Sequence, residues 1–263
     1  MNLVVLGSSA SMPAPGDACS GYLVSSGDTH VLLDCGTGVI SALQNEIALA
    51  SLSAIVISHF HPDHFIDLVP LRYGLRYGPG SIFHPHVFLP PGGISYLEQV
   101  GRGLRDSEDY FTSTYNLNEY DPAQILTIGD LQVSFCRTTH DIPTYAIAVS
   151  DGDDRLVYTA DTQESKELVA FSREADVLLC ESTYPSTLGN LPSGNHLTSQ
   201  QAGELASQAQ AGQLVLTHFW PGIDRSDFQA DAVTAFDGEI HLAKPGLTLA
   251  VRSNAERTNH AYH

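Results

Sequence analysis

The stretch His59-Phe60-His61-Pro62-Asp63-His64 places three imidazoles and one carboxylate in six consecutive positions. Core packing gives no reason for that density. Neutral imidazole and carboxylate are the ligands that suit zinc and similar divalent ions, so the stretch reads as one part of a metal site. It follows directly on Ala54-Ile55-Val56-Ile57, an apolar run of strand length. Alternate residues leaving a strand can aim His59 and His61 the same way. Pro62 stiffens the turn, and Asp63 with His64 can face a second ion from the start of a helix.

A site for two ions needs further ligands, and isolated His and Asp residues stand where later apolar runs end. His140 comes after the run from Leu131, Asp161 after Leu156-Val157-Tyr158-Thr159-Ala160, and His218 after Leu214-Val215-Leu216-Thr217. Layered α/β proteins assemble sites at such strand-to-loop rims. Two cations roughly 3.5–4 Å apart lower the pKa of bound water and clamp phosphoryl oxygens, so the chemistry expected is hydrolysis.

The elements that must position these residues alternate along the chain. Strands are expected over Leu3–Leu6, Val31–Leu33, Ala54–Ile57, Leu131–Phe135, Leu156–Tyr158, Val177–Leu179, Leu214–Leu216 and Leu247–Val251. Helical spacing marks 38–50, 63–77, 163–173, 199–210 and 227–236. Thr198 with Gln201 and Ser226 with Gln229 fit the capping-box pattern. The alternation predicts an α/β fold with helices covering sheets, as a single domain over 1–252 and a tail over 253–263. Residues 78–125, rich in Gly, Pro and Tyr with acidic Asp106, Glu108 and Asp109, read as an irregular insertion serving as a lid or a dimer contact.

Composition bounds the partners. Twelve Lys plus Arg against thirty Asp plus Glu leave a formal charge of −18, which repels polyanions and disfavours nucleic acid. No apolar run is long enough for a membrane span, and the start lacks the basic region of a secretory signal, so a cytoplasmic protein with no membrane partner is expected. Cys19, Cys35, Cys136 and Cys180 are isolated and suggest neither a zinc ribbon nor disulfides. Arg72 and Arg76, four apart, would share a helix face and could reach a phosphate. Ser8, Ser9 and Ser11 look like a loop near the site. His84, His86, His30, His241, His260 and His263 read as ordinary loop or surface residues.

With HxHxDH followed by separate His, Asp and His, the sequence resembles the metallo-β-lactamase superfamily from Leu3 to about Val251. The resemblance implies an αββα four-layer sandwich. It also implies the ligand partition: His59, His61 and His140 on one ion, Asp63, His64 and His218 on the other, and Asp161 bridging the pair. Cys180-Glu181-Ser182-Thr183-Tyr184, His196-Leu197-Thr198 and Tyr158–Thr162 resemble the tRNase Z-like phosphodiesterase branch. That branch implies His196 as proton donor to the leaving oxygen and Glu181 as its orienting carboxylate, with Asp63 or Asp161 orienting the nucleophile.

Two departures from tRNase Z stand out. The last ligand sits in His218-Phe219-Trp220-Pro221 instead of a His-Phe-Ser sequence, and Phe65–Thr139 holds five arginines and no lysine where a basic tRNA-binding arm would lie. Ser20-Gly21-Tyr22-Leu23, Asp34-Cys35-Gly36, Ala202-Gly203 and Phe236-Asp237-Gly238 are closer to atypical bacterial cyclic-nucleotide phosphodiesterases of this superfamily. The function expected is therefore a binuclear phosphodiesterase for a small phosphodiester such as a 3′,5′-cyclic nucleotide, by attack of metal-activated water. Zinc leads as the cofactor, with manganese or iron as options, and a homodimer is expected. The alternatives are a lactonase or thioesterase on the same ligands, or a tRNA 3′-processing endonuclease.

Overall fold

The computed structural model describes residues 1–78, 83–105, 107, 109–189 and 195–252. Six strands open the chain: β1 (Asn2–Gly7), β2 (Gly21–Ser26), β3 (Thr29–Leu33), β4 (Ala54–Val56), β5 (His86–Leu89) and β6 (Asn116–Glu119). Seven more form a second sheet: β7 (Leu126–Ile128), β8 (Leu131–Arg137), β9 (Tyr145–Ser150), β10 (Arg155–Tyr158), β11 (Val177–Glu181), β12 (Gln213–Thr217) and β13 (Glu239–Leu242). The last, β14 (Thr248–Ala250), returns to the first sheet, whose order is β14-β1-β2-β3-β4-β5-β6. The second sheet runs β13-β12-β11-β10-β9-β8-β7. Each sheet begins antiparallel and turns parallel, at β3/β4 in the first and β10/β11 in the second.

Strict alternation of buried side chains makes the layers. In β2, Tyr22 and Val24 face the second sheet while Leu23 faces the other way; β3 repeats this with Val31 and Leu33 against Leu32, and β4 with Ala54 and Val56 against Ile55. Both faces of such strands need covering. Helices α1 (Val39–Glu46), α2 (Pro62–Phe65), α3 (Leu68–Tyr77) and α4 (Gly93–Arg105) bury Val39, Leu43, Phe65, Leu68, Leu71 and Leu97 against the outer face of the first sheet. On the far side α5 (Lys166–Phe171), α6 (Ser199–Ala209) and α7 (Arg225–Ala232) bring Leu168, Leu205, Ala206, Phe228 and Ala232 against the second. The result is the αββα sandwich that the resemblance implied.

Rings fill the space between the sheets. Tyr120 stacks on Phe135 at 3.7 Å and 4°, and Tyr22 meets Tyr158 at 4.9 Å. Both members of the second pair are buried, and both hydroxyls are used: Tyr22 pairs with Thr217 Oγ1 at 2.8 Å and Tyr158 donates to Asp34 at 2.8 Å. No helix among the described residues is long and apolar enough to cross a membrane.

Three local expectations are corrected. The described part of 78–125 is not wholly irregular: β5, α4 and β6 extend the parallel half of the first sheet, with β4/β5 and β5/β6 both parallel. Three of its four tyrosines explain the misreading, because Tyr110, Tyr115 and Tyr120 are buried core rings while only Tyr96 is exposed. Asp106 and Glu108 lie outside the described residues, as does the tail 253–263 with His260 and His263. The helix expected over 63–77 breaks at Ile66–Asp67, where the Asp67 carboxylate turns away to accept from Gly38 N and Ile40 N at the start of α1. Finally, α7 is capped by Asp224, which accepts from Ser226 N, and not by Ser226. The box at Thr198 and Gln201 forms as expected.

Candidate metal centre

The first sheet delivers its part of the site from one continuous turn. Beyond β4, Ser58 N and Oγ donate to Asp34 at 2.7 and 2.8 Å, fixing the strand end just before His59. Pro62 opens α2 at a position where its missing N–H costs nothing. That single turn carries Asp63 and His64 inward. The loop after β3 packs directly on them: Cys35 N donates to His64 O at 2.7 Å, and a Cβ at Gly36 would lie 1.9 Å from Asp63 O. Only glycine permits that approach.

The second sheet contributes at the ends of separate strands. Parallel registry pairs Tyr158 with Leu179 and Glu181 with Thr217, so residues just past β10, β11 and β12 reach the same rim. Asp34, Ala160 and His218 all have left-handed backbones, with φ of 58°, 51° and 58°. A non-glycine residue in that region is strained, and here it turns chain inward at the site.

The side chains converge in two groups. In one, His61 Nδ1 lies 3.2 Å from both His59 Nε2 and His140 Nε2. In the other, Asp63 Oδ2 lies 3.3 Å from His218 Nε2 and 3.6 Å from His64 Nε2. Asp161 spans them. Its Oδ2 is 3.6 and 3.8 Å from His59 and His140, and its Oδ1 is 3.3 and 3.5 Å from His64 and His218. One oxygen thus faces each group, and within each group the ligand-type atoms lie within 4.8 Å of one another.

The remaining ring nitrogens are held from outside. Nδ1 of His64 meets Asp34 at 2.7 Å, Nδ1 of His59 meets Ser58 Oγ at 2.9 Å, Nδ1 of His140 meets Asn195 O at 3.1 Å and Nδ1 of His218 meets Thr183 Oγ1 at 2.8 Å. A carbonyl or carboxylate at Nδ1 demands the proton there, which leaves the Nε2 lone pair pointing inward as a ligand requires. Buried His64 Nε2 and Asp161 Oδ1 have no hydrogen-bond partner at all. Two orphaned polar atoms aimed into a ring of nitrogen and carboxylate donors are what divalent ions would satisfy.

Protonation follows the same logic. Burial pushes the His59 imidazole down to about 4, keeping it neutral. At His64 burial again opposes the charge, but Asp161 and Asp63 outweigh it and raise the pKa well above the usual histidine range. The two carboxylates are held below theirs, burial notwithstanding, by the surrounding imidazoles, chiefly His64 for Asp63 and His218 for Asp161. Without an ion the second proton on His64 is the charge that balances these carboxylates, and a divalent cation at Nε2 would take its place.

Beside it sits a second constellation. Buried Glu181 accepts from Thr162 N at 2.7 Å and Thr183 Oγ1 at 2.8 Å, and holds His196 Nδ1 at 3.0 Å. His196 Nδ1 is also 4.0 Å from Asp161 Oδ2. Burial works against a charge on His196, yet Glu181 and then Asp161 raise its pKa to about 9.

Every residue expected at the site therefore gathers there: His59, His61, Asp63, His64, His140, Asp161, His218, Glu181 and His196. The arginines do not. Arg72 is buried with its Nε donating to Tyr110 O and its guanidinium over the Tyr110 ring, while Arg76 lies near Tyr77. Of the serines, Ser11 N donates to Asp63 Oδ2 at 2.7 Å, whereas Ser8 pairs with Asp17. His30 meets Ser25 and His84 meets Thr114 O, both away from the cluster. Sequence reasoning missed the roles of Asp34, Thr183 and Asn195, and of exposed Asp141, whose Oδ1 lies 3.0 Å from His140 Nε2. Asp34 carried a usable signal, since it ends the run Val31–Leu33 just as Asp161 ends its own.

The model of the beta-lactamase superfamily domain matches residues 29–219. A probable metallo-hydrolase of Bacillus subtilis (strain 168), YhfI, is 34% identical over 247 residues, 94% of this chain and 98% of its own. The crystal structure of YhfI has a TM-score of 0.84 at 31% identity, covering 94% of this chain and 98% of that one. Ribonuclease Z of Thermoplasma acidophilum is 24% identical over 288 residues, covering 90% of this chain and 92% of its own. The fold is shared with human tRNase Z, short form, at a TM-score of 0.75 and 22% identity, over 95% of this chain and 99% of that one.

Proposed function

This chain belongs to the metallo-β-lactamase superfamily as a metal-dependent hydrolase, and from that premise we propose that it is a binuclear phosphodiesterase acting on small phosphodiesters, 3′,5′-cyclic nucleotides among them. The observation that carries the reading is the Glu181–His196 pair set 4.0 Å from the carboxylate that spans both donor groups. Expelling an alkoxide from phosphorus needs an acid at the leaving oxygen. His196 is in place for that task.

His59, His61 and His140 would hold one divalent ion and Asp63, His64 and His218 the other, with Asp161 shared. Such ions supply Lewis acidity, a nucleophile at neutral pH and neutralisation of the phosphoryl oxygens. The protein's own part is orientation and proton delivery. Glu181 fixes the His196 ring through Nδ1 and favours its protonated form, so that a proton is available as the bond to the leaving oxygen breaks. Asp63, steadied by Ser11 N, and Asp161 accept hydrogen bonds from the incoming water. Zinc is the first choice for a His-rich donor set, with manganese or iron next.

Ribonuclease Z among the relatives supports phosphodiester chemistry. A net charge of −18 argues for a small diester over tRNA. The test is hydrolysis of bis-p-nitrophenyl phosphate by protein reconstituted with zinc or manganese. Metal-dependent turnover, lost in Asp161→Ala and strongly reduced in His196→Ala, is the expected result. Absence of diester turnover together with turnover of a lactone or thioester would place the chain among carboxyl hydrolases instead.

A further inference from the structure

Beside His196 the fold leaves a cavity of about 610 Å³. That is the size of a typical small-ligand site. Gln163, Tyr184, Thr198 and Gln200 line it together with two carboxylates, Glu164 and Glu204. Among the described residues no lysine or arginine does; Lys166 lines an adjoining cavity, which shares Glu164 and Leu197 with this one. The wall is tied down: Glu164 accepts from Gln201 at 2.7 Å, Glu204 from Gln200 at 3.2 Å, and Trp220 stacks behind Tyr184 at 5.5 Å and 29°.

Resting on the phosphodiesterase reading, we propose that this cavity receives the group carried by the leaving oxygen, which departs as an alcohol from a linear diester and stays tethered in a cyclic one, and that Glu164 and Glu204 restrict that group to a nucleoside-sized one bearing no second phosphate. The argument is positional. His196 can protonate only the oxygen it faces, and it is itself part of the cavity wall. When the bond from phosphorus to that oxygen breaks and the oxygen takes the His196 proton, the rest of the alcohol stands against Tyr184 and the glutamine side chains. Amides and hydroxyls suit the hydroxyls and ring nitrogens of a nucleoside, and the tyrosine offers an aromatic wall. A second phosphate there would meet two carboxylates, while the one cationic group of the described wall, His196, is engaged at the leaving oxygen. The substrate's one charge belongs at the reacting phosphorus.

The test compares adenylyl-(3′→5′)-adenosine with its 5′-phosphorylated and 3′-phosphorylated forms, using the zinc-loaded enzyme and bis-p-nitrophenyl phosphate as a control. Whichever nucleoside departs, one of the phosphorylated forms puts the second phosphate into the cavity. That form should be hydrolysed with about tenfold lower kcat/KM than the unphosphorylated dinucleotide, and the penalty should shrink in high salt. In the double variant Glu164→Gln, Glu204→Gln it should fall to within about threefold. Equal rates for all three dinucleotides, a penalty on the end that keeps the phosphate, or a penalty unchanged in the double variant overturns the inference. So does turnover of bis-p-nitrophenyl phosphate with none of any dinucleotide. If no diester is cleaved at all, it is the phosphodiesterase reading itself that fails.

Discussion

The two sheets feed one site by different means. The first supplies four donors from a single turn, His59 to His64, braced by one buried carboxylate, Asp34, which holds Ser58, His64 and Tyr158 together. The second supplies three from places as distant in sequence as His140 and His218, and its bracing carboxylate is Glu181, joined to Thr162, Thr183 and His196. A contiguous turn needs only to be pinned. A dispersed set needs strand registry to bring its members together, and its brace is shared with the proposed proton donor. On the proposed mechanism Asp34 therefore serves position alone, while Glu181 would serve position and proton transfer at once.

The largest effect should come from the residue that belongs to both halves. Asp161→Ala is expected to release bound metal and to lower diester turnover by roughly 10³-fold or more, read by metal analysis alongside kinetics. His196→Ala should cost about 10²–10⁴-fold in kcat while keeping the metal content of the parent; loss of metal in this variant would erase the distinction between donors and acid.

The braces sharpen the contrast. Asp34→Asn and Glu181→Gln should each weaken metal affinity about 10–100-fold, measured by chelator competition. Only Glu181→Gln should also move the pH profile. His196 must be protonated to act, so activity falls as pH rises through its pKa. Removing the carboxylate that raises that pKa against burial shifts the alkaline limb to lower pH. An equal shift in Asp34→Asn would show that the two braces are not separate.

The smallest effect lies at the edge of the second half. Thr198→Ala removes the side chain that accepts from Gln201 N at the start of α6. Its expected cost is about 1 kcal/mol, a fall of roughly 2–4 °C in Tm for a chain of this size. Metal content should not change.

The same contrast explains what could be read from the sequence. A turn carrying His59, His61, Asp63 and His64 announces itself because its donors are adjacent. His140, Asp161 and His218 were found by looking where apolar runs end, and strands β1, β3, β4, β8, β10, β11, β12 and β14 each contain or overlap a run read from composition. Of the strands that escaped, β2, β5, β7, β9 and β13 do carry apolar residues, and β6 is the one without that signature. In β6, Asn116-Leu117-Asn118-Glu119 is largely exposed at a sheet edge, and its pairing with β5 depends on partners distant in the chain. Asp34 and Thr183 escaped as functional residues because a hydrogen bond to the outer nitrogen of a histidine leaves no mark on sequence spacing. The Arg72–Arg76 expectation failed for a simpler reason. Helical spacing says which residues share a face, not which face looks at the site.

The left-handed turns at Asp34, Ala160 and His218 bear on how this enzyme could change. Each costs on the order of 1–2 kcal/mol in a residue that is not glycine. Ala160→Gly would relieve one of them and so gain equilibrium stability, while giving Asp161 more freedom to wander. The expected product is a sturdier, slower enzyme. The reverse trade is built into the natural chain: it keeps its aim by staying slightly wound, and selection for heat resistance alone would unwind it.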